Sequence, residues 1–298
     1  MNILVFGGSG FIGSAIVKKL LNDGHDVANV DNLITGSNDN LKGVNVLNYE
    51  FDICNANSFS KIDFKPDLVI HLAFPTSLCD RKKDNQYEAI ATTGMLNVLE
   101  YTCKTCNKII YGSSISVYGV PESIPISERN AVNPILIYGA HKFLGELYLK
   151  SYQTLHGLEY NTLRISDTFG ENDMRKNVVN NFISAFNMNT KININGDGNQ
   201  IRTLTYVEDI AHAFLLSIDK FNNTEYNIAS ESFCSINDLL MKLERHFNKK
   251  NEVEYIIETK DLRDYIFNCN KFIKEFGMFE LIGFDKGLIK TISFLTKV

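Results

Sequence analysis

In the first half of the chain, short runs of aliphatic and β-branched residues alternate with segments whose apolar positions recur every three to four residues. The runs at 2–6, 26–31, 44–51, 67–72, 108–113 and 160–166 have the length and composition of strands. Between them, 12–22, 86–105 and 137–156 carry the helical period. Strands that alternate with helices predict an α/β fold built on a doubly wound parallel sheet. Helices then cover both faces, and ligands bind beyond the carboxyl ends of the strands. After residue 170 the rhythm becomes polar and rich in Asn, with one further helix at 207–218 and one short strand at 226–229. That pair reads as a return to the sheet. The predicted division is therefore 1–166 with 203–230 as the sheet domain, and 167–202 with 231–298 as a smaller, discontinuous C-terminal substrate lobe. The Asn-rich stretch 177–199 also contains Val, Phe and Ile, which predicts an ordered loop and helix rather than a low-complexity segment.

Composition narrows the partners. The 298 residues are 44% hydrophobic and 22% charged, which is ordinary globular usage, and the formal net charge is −5. Binding to a phosphate backbone needs clustered Lys and Arg, so nucleic acid is not an expected partner. The chain starts directly on Asn2-Ile3-Leu4-Val5-Phe6, with no basic leader and no apolar run of membrane-spanning length. A cytoplasmic protein without a membrane partner is expected. Cys54, Cys79, Cys103, Cys106, Cys234 and Cys269 are too scattered for a disulfide framework, and reduced thiols are expected. Cys103 and Cys106 have CxxC spacing but no second Cys or His pair to complete a tetrahedral site, so no metal is predicted.

The first candidate for chemistry is Gly7-Gly8-Ser9-Gly10-Phe11-Ile12-Gly13, which follows the first strand and opens the first helix. Glycines there permit a tight turn and let the backbone approach a pyrophosphate, whose charge meets the N–H groups of the helix N-terminus. Asp31 ends the second strand eighteen residues after Gly13, where an acid takes the adenosine ribose hydroxyls. Residues 32–40 contain no Lys or Arg to receive a 2′-phosphate. The predicted cofactor is NAD, on a Rossmann-type sheet.

Tyr138 and Lys142 stand four residues apart at the start of a helical segment, so they share a face. An ammonium beside a phenol favours phenolate, as does a bound nicotinamide cation, and Tyr138 becomes a credible proton acceptor from a hydroxyl. Ser113 and Ser114 follow the fifth strand, where a serine hydroxyl can orient a substrate oxygen. YxxxK spacing alone also fits an exposed helix pair. The order of Gly-rich turn, acid, strand-end serine and YxxxK is what points to an enzyme.

Together these residues resemble the extended short-chain dehydrogenase/reductase superfamily, and within it the NAD-dependent epimerase/dehydratase family acting on nucleotide sugars. The likeness rests on the Gly7 to Gly13 motif, Asp31-Asn32-Leu33-Ile34-Thr35-Gly36, Asp52-Ile53 and His71-Leu72-Ala73. It continues through Ser113-Ser114-Ile115-Ser116-Val117-Tyr118-Gly119, Tyr138-Gly139-Ala140-His141-Lys142, and Gly196-Asp197-Gly198-Asn199-Gln200-Ile201-Arg202 with Tyr206-Val207-Glu208-Asp209. The resemblance implies a Ser114, Tyr138 and Lys142 triad. It also implies an NAD site comprising Gly7, Gly10, Phe11, Ile12, Gly13, Asp31, Asn32, Gly36, Asp52, Ile53, Leu72 and Ala73, together with Tyr138 and Lys142. For the nucleotide-diphosphate sugar it implies Ser114, Tyr138, Asp167, Asn177, Val178 and Arg202, with Tyr118 as a pocket candidate. Arg202 would meet the diphosphate, or else serve as a structural ion-pair partner.

Family dehydratases and decarboxylases carry a carboxylic acid just after the serine, where this chain has Ile115-Ser116. Elimination then lacks its general acid, and the motif is closest to the sugar 4-epimerases. An NADH-dependent 4-ketoreductase and a non-catalytic dinucleotide sensor are the other two readings. The chain departs from the family pattern at Asp167 and Ala91, which stand where Asn is frequent, and at Gly112, which stands where a serine is frequent. His71 is expected to be a packed, hydrogen-bonded histidine, and His141 to face away from the triad lysine. The resemblance also implies a homodimer formed through the helices at 86–105 and 137–156.

Overall fold

The computed structural model describes residues 1–75, 86–257 and 263–296; Cys79 lies outside them. The first half runs β1 (Asn2–Phe6), α1 (Phe11–Asn22), β2 (Asp26–Asp31), β3 (Leu47–Glu50), β4 (Leu68–His71), α2 (Gln86–Ala89), α3 (Met95–Thr105), β5 (Lys108–Ser114), α4 (Ile137–His156) and β6 (Glu159–Ile165). The second half runs β7 (Asp167–Phe169), α5 (Val178–Met188), β8 (Ile192–Asn195), β9 (Ile201–Tyr206), α6 (Val207–Leu216), β10 (Thr224–Ile228), β11 (Phe233–Ser235), α7 (Ile236–Phe247), β12 (Val253–Ile256), α8 (Asn270–Phe276) and α9 (Phe284–Thr296).

Seven strands make one sheet in the order β10-β6-β5-β4-β1-β2-β3, with every pairing parallel. This is the doubly wound α/β architecture expected from the alternating pattern. The central strands read as continuous apolar runs because both faces are covered. Ile3, Leu4, Val5 and Phe6 are all inaccessible to solvent. The strand order reverses between β1 and β4, whose ends are in register at Phe6 and His71. Gly7 and Leu72 therefore leave the sheet side by side, at the crevice where ligands bind in such folds.

The helix at 86–105 is not uniform. Between α2 and α3 the chain makes a π-type segment at Ile90–Gly94, which buries Ala91. The strand expected at 44–51 contracts to β3, while Val44 and Val46 pack on the core from outside it. Strand β5 extends one residue further than expected and takes in Ser114.

The larger difference lies in the second half, where the pattern predicts α6, β10 and an ordered loop and helix within 177–199, the last matched by α5. Among the described residues the structure adds α7, α8 and α9, a three-stranded sheet β11-β9-β7 and a two-stranded sheet β12-β8. These strands are too short to show a full alternation. The α7 boundary, by contrast, is written in a local signal: Ser235 and Asp238 form a reciprocal capping box. A second core gathers Phe169, Phe182, Phe186, Tyr206, Leu239 and Phe284. Phe267, Phe272 and Phe279 instead join the core that packs on the main sheet.

Candidate functional site

The Gly-rich turn is held by its own backbone. The Gly7 N–H donates to the Val30 carbonyl at 2.8 Å, and Gly10 donates back to Gly7 at 3.2 Å. Gly7 has φ +87°, and a Cβ there would lie 2.7 Å from the Ala73 nitrogen. A Cβ on Gly13 would lie 2.0 Å from the Gly7 carbonyl oxygen. Neither contact can be relieved by a side-chain rotation, because the obstacle is backbone in each case. The turn opens a cleft of about 530 Å³ walled by Gly7, Gly10, Asp31, Asn32, Ile53, Leu72 and Ala73, seven of the predicted cofactor residues. Asp31 is clamped there: one carboxylate oxygen accepts the Ser9 N–H at 3.0 Å and the other the Leu33 N–H at 2.9 Å. Burial raises its pKa, and the backbone bonds from Leu33, Ser9 and Asn32 work the other way.

Other predicted cofactor residues support the walls without facing the cleft. Ile12 packs into the core, and Gly36 passes within 3 Å of the Ser9 backbone when a Cβ is built on it. Asp52 accepts the Cys54 N–H at 2.8 Å. The Phe11 ring lies 5.0 Å below the Arg175 guanidinium.

Helix α4 carries Tyr138 and Lys142 and packs against the turn that follows Ser114. Gly139, in its first turn, leaves no room for a side chain against the Ser116 carbonyl, so the helix abuts the turn that begins at Ser114. The Ser114 hydroxyl caps that turn, accepting the Ser116 N–H at 3.1 Å. The Lys142 ammonium is buried, donates to the Gly112 carbonyl at 2.7 Å and lies 6.0 Å from the centre of the Tyr138 ring. The two strand-end serines differ in their partners. Ser113 points to the opposite side of the strand and donates to Glu146 at 2.6 Å.

A second cleft of about 1130 Å³ has Asp167, Asn177, Val178 and Arg202 in its walls, which are the remaining predicted substrate residues, with Lys176 and Arg175 beside them. Strands β7 and β9 pair in parallel with Asp167 opposite Leu204, and alternate positions Asp167, Phe169, Arg202 and Leu204 all face this space. Enclosure by the cleft walls raises the Asp167 pKa, with Arg202 and Arg175 drawing it down. The Arg202 guanidinium donates to the Ile201 and Arg263 carbonyls at 2.9 and 2.6 Å and lies over Tyr265. Asn177 has a local task as well: its side chain accepts the Asn180 N–H at 2.8 Å and caps α5.

Residues 3–229 match the NAD dependent epimerase/dehydratase family. The chain belongs to that family. Across 226 residues it is 34% identical to the UDP-glucose 4-epimerase of Mycolicibacterium smegmatis, with 72% of each chain covered. The UDP-glucose 4-epimerase of Thermotoga maritima, solved with UDP-glucose, superposes with a TM-score of 0.91 at 31% identity, over 100% of this chain and 99% of that one. The Thermus thermophilus UDP-glucose 4-epimerase, solved in complex with NAD, gives a TM-score of 0.88 at 28% identity, over 99% of each chain. NAD is the cofactor of this family member, and the side-chain-free cradle at Gly7 and Gly13 with its clamped acid fits that dinucleotide.

Several expectations for this family member need correction. Tyr118 is not a pocket residue: it is buried, accepts from Arg164 at 2.8 Å and donates to Asn227 at 2.6 Å. His71 is packed as expected, but its Nδ1 is buried with no hydrogen-bond partner among the described residues. Burial, then the Lys142 charge, lowers its pKa to about 3, so it stays neutral. His141 does not face away. It sits three residues after Tyr138, hence on a neighbouring helical face, and packs 5.8 Å from the Phe74 ring. Two site residues were not singled out from the sequence. Arg175 carries no motif and is placed by Asp173, which it grips twice at 2.8 Å. Phe74 sits just beyond the His71-Leu72-Ala73 element, and nothing in that spacing marks its ring as facing α4. Burial pushes the Cys54 thiol up to about 11 and raises those of Cys103 and Cys106. Among the described residues no cluster of His, Cys, Asp and Glu is arranged to hold a metal ion. No described helix is long and apolar enough to cross a membrane.

Proposed function

We propose that this chain is a nucleotide-sugar 4-epimerase that works through a transient 4-keto sugar. The observation that carries the reading is the Tyr138 and Lys142 pair on α4, a helix packed against the turn that Ser114 caps, in a fold with one cleft that fits a dinucleotide and a second lined by Arg202 and Lys176. The named functions of the relatives support it.

In this reading Arg202 and Lys176 meet the diphosphate, with Asn177 and Val178 on the same wall. Ser114 orients the oxygen on sugar C4. Tyr138, kept acidic by the Lys142 ammonium, takes the hydroxyl proton and later returns it. Held in the cleft at Gly7, Gly10 and Asp31, NAD would supply the hydride acceptor and donor for that same carbon. The turn Ile115–Tyr118 presents no carboxylic acid to a leaving group, which disfavours dehydration and decarboxylation. Residues 1–166 and 203–230 form the cofactor part, and 167–202 with 231–298 the sugar-binding part. Exposed Ile137, Leu147 and Leu155 on α4 suit a helix-paired homodimer. A cytoplasmic location suits a chain that works on nucleotide sugars.

The test is purified protein offered UDP-glucose and other nucleotide sugars without added cofactor. Interconversion of the 4-epimers, lost in Tyr138→Phe while NAD binding persists, is the expected result. Stoichiometric NADH oxidation on a 4-keto sugar would replace the epimerase by a ketoreductase. If Tyr138→Phe kept full physiological activity, a dinucleotide sensor would be the better reading.

A further inference from the structure

Lys142 sits in an aromatic enclosure. Its Nζ lies 5.1 Å from the centre of the Phe74 ring, 5.1 Å from that of Tyr111 and 6.0 Å from that of Tyr138. Phe74 also packs against Tyr138 itself at 5.8 Å and lines the cofactor cleft. One ring thus touches the ammonium, the phenol and the dinucleotide space at once. A cation over an aromatic face is attracted to the ring quadrupole, more strongly where water is excluded. Lys142 is buried, so the faces around it set where its charge rests.

We propose that Phe74 is a positioning residue for proton transfer, holding the Lys142 ammonium against Tyr138 through its ring face. This rests on the reading of Tyr138 as the proton acceptor. The other groups around the pair leave the role to Lys142. His71 on β4 is neutral, burial raises the Tyr111 phenol on β5 well above its ordinary range, and burial lowers the His141 pKa on α4. Glu146 on α4 is committed to Arg164, and Arg175 from the segment after β7 to Asp173. Removing the ring takes away one of the contacts that, with the Gly112 carbonyl, fix the ammonium, and so weakens its hold on the phenolate.

The experiment follows phenolate absorbance in the full-length protein against pH, taking each variant minus its own Tyr138→Phe partner so that Tyr138 alone is read. Phe74→Leu is expected to move the Tyr138 midpoint up by about half to one pH unit, and Phe74→Tyr to restore it. Phe74→Met, which keeps bulk without a ring, should behave like Phe74→Leu and stands in for it if that variant fails to fold. The acidic limb of kcat/KM should move by the same amount, whereas a merely structural defect would lower activity at every pH. Midpoints of Leu and Met variants coinciding with wild type would overturn the proposal. The titration needs no turnover, so it is read separately from the 4-epimerase assignment, whose own tests are the sugar-interconversion and cofactor assays above.

Discussion

Replacing Glu146 by Ala should destabilise the protein far more than a surface charge deletion would. Its carboxylate accepts Ser113 at 2.6 Å and Arg164 Nε at 3.0 Å on one oxygen, and Arg164 Nη2 at 2.7 Å on the other. Both side chains are 1–2% exposed. Burial works against the Arg164 charge, and the Glu146 bonds more than offset it, holding the guanidinium pKa above its ordinary value. Alanine removes the compensation and leaves the desolvation. Breaking a buried pair in this way costs about 3–5 kcal/mol. The lower part of that range applies, because Glu225 lies 3.9 Å from the same guanidinium and can take up part of the charge. Urea unfolding monitored by circular dichroism reads the difference. A second variant separates burial from bonding: Glu146→Leu with Arg164→Met removes both charges and should recover most of the loss. A Glu146→Ala midpoint shift worth under about 1 kcal/mol would refute the reasoning, since an unpaired guanidinium cannot sit in that core so cheaply.

Three further outcomes follow from the same structure. Gly13→Ala places a methyl 2.0 Å from the Gly7 carbonyl oxygen, so the turn must distort; NAD affinity measured by calorimetry should fall at least about tenfold, the equivalent of about 1.4 kcal/mol. Asp209→Ala leaves the Leu281, Ile282 and Gly283 N–H groups without their carboxylate, at 2.8, 2.9 and 2.9 Å; a loss of about 2–4 kcal/mol is expected, with faster amide exchange confined at first to 281–283. Asp167 is open to solvent at the cleft mouth, yet desolvation by the surrounding walls raises its pKa against the pull of Arg202 and Arg175, so between its unfolded and folded values the folded state keeps a proton that the unfolded chain has released. Its contribution to stability is full below the unfolded pKa and is lost as pH rises through the folded one. Asp167→Asn should therefore be more stable than wild type at neutral pH, the gap closing in acid, in urea titrations at both pH values.

The parallel sheet was legible because its strands are buried on both faces and announce themselves as unbroken apolar runs. The dinucleotide turn was legible for another reason: Gly13 answers to the Gly7 backbone within one βαβ unit, and the acid that completes the motif ends the adjacent strand, although Gly7 itself abuts Ala73 after β4. The pairing of Tyr138 with Lys142 needs only helical geometry. None of these inferences requires knowing what packs across from what.

What could not be read depends on partners distant in sequence. That Ser113 bonds Glu146 on α4 follows from strand parity and from a helix some thirty residues on, and nothing in a Ser-Ser pair announces it; Ser114 was named from resemblance alone. Tyr118 was drawn towards the pocket by its motif, but Arg164 and Asn227, on β6 and β10, pull it into the core. The small strands of the second half stabilise one another only after the chain has returned several times. The same reasoning explains Phe74. A phenylalanine after a strand is an ordinary packing residue until the fold sets the first turns of α4 against it, and only then does its ring acquire an ammonium and a phenol as neighbours. Local patterns therefore pointed to the candidate groups for chemistry, while the ring beside them came from the end of a strand distant in sequence.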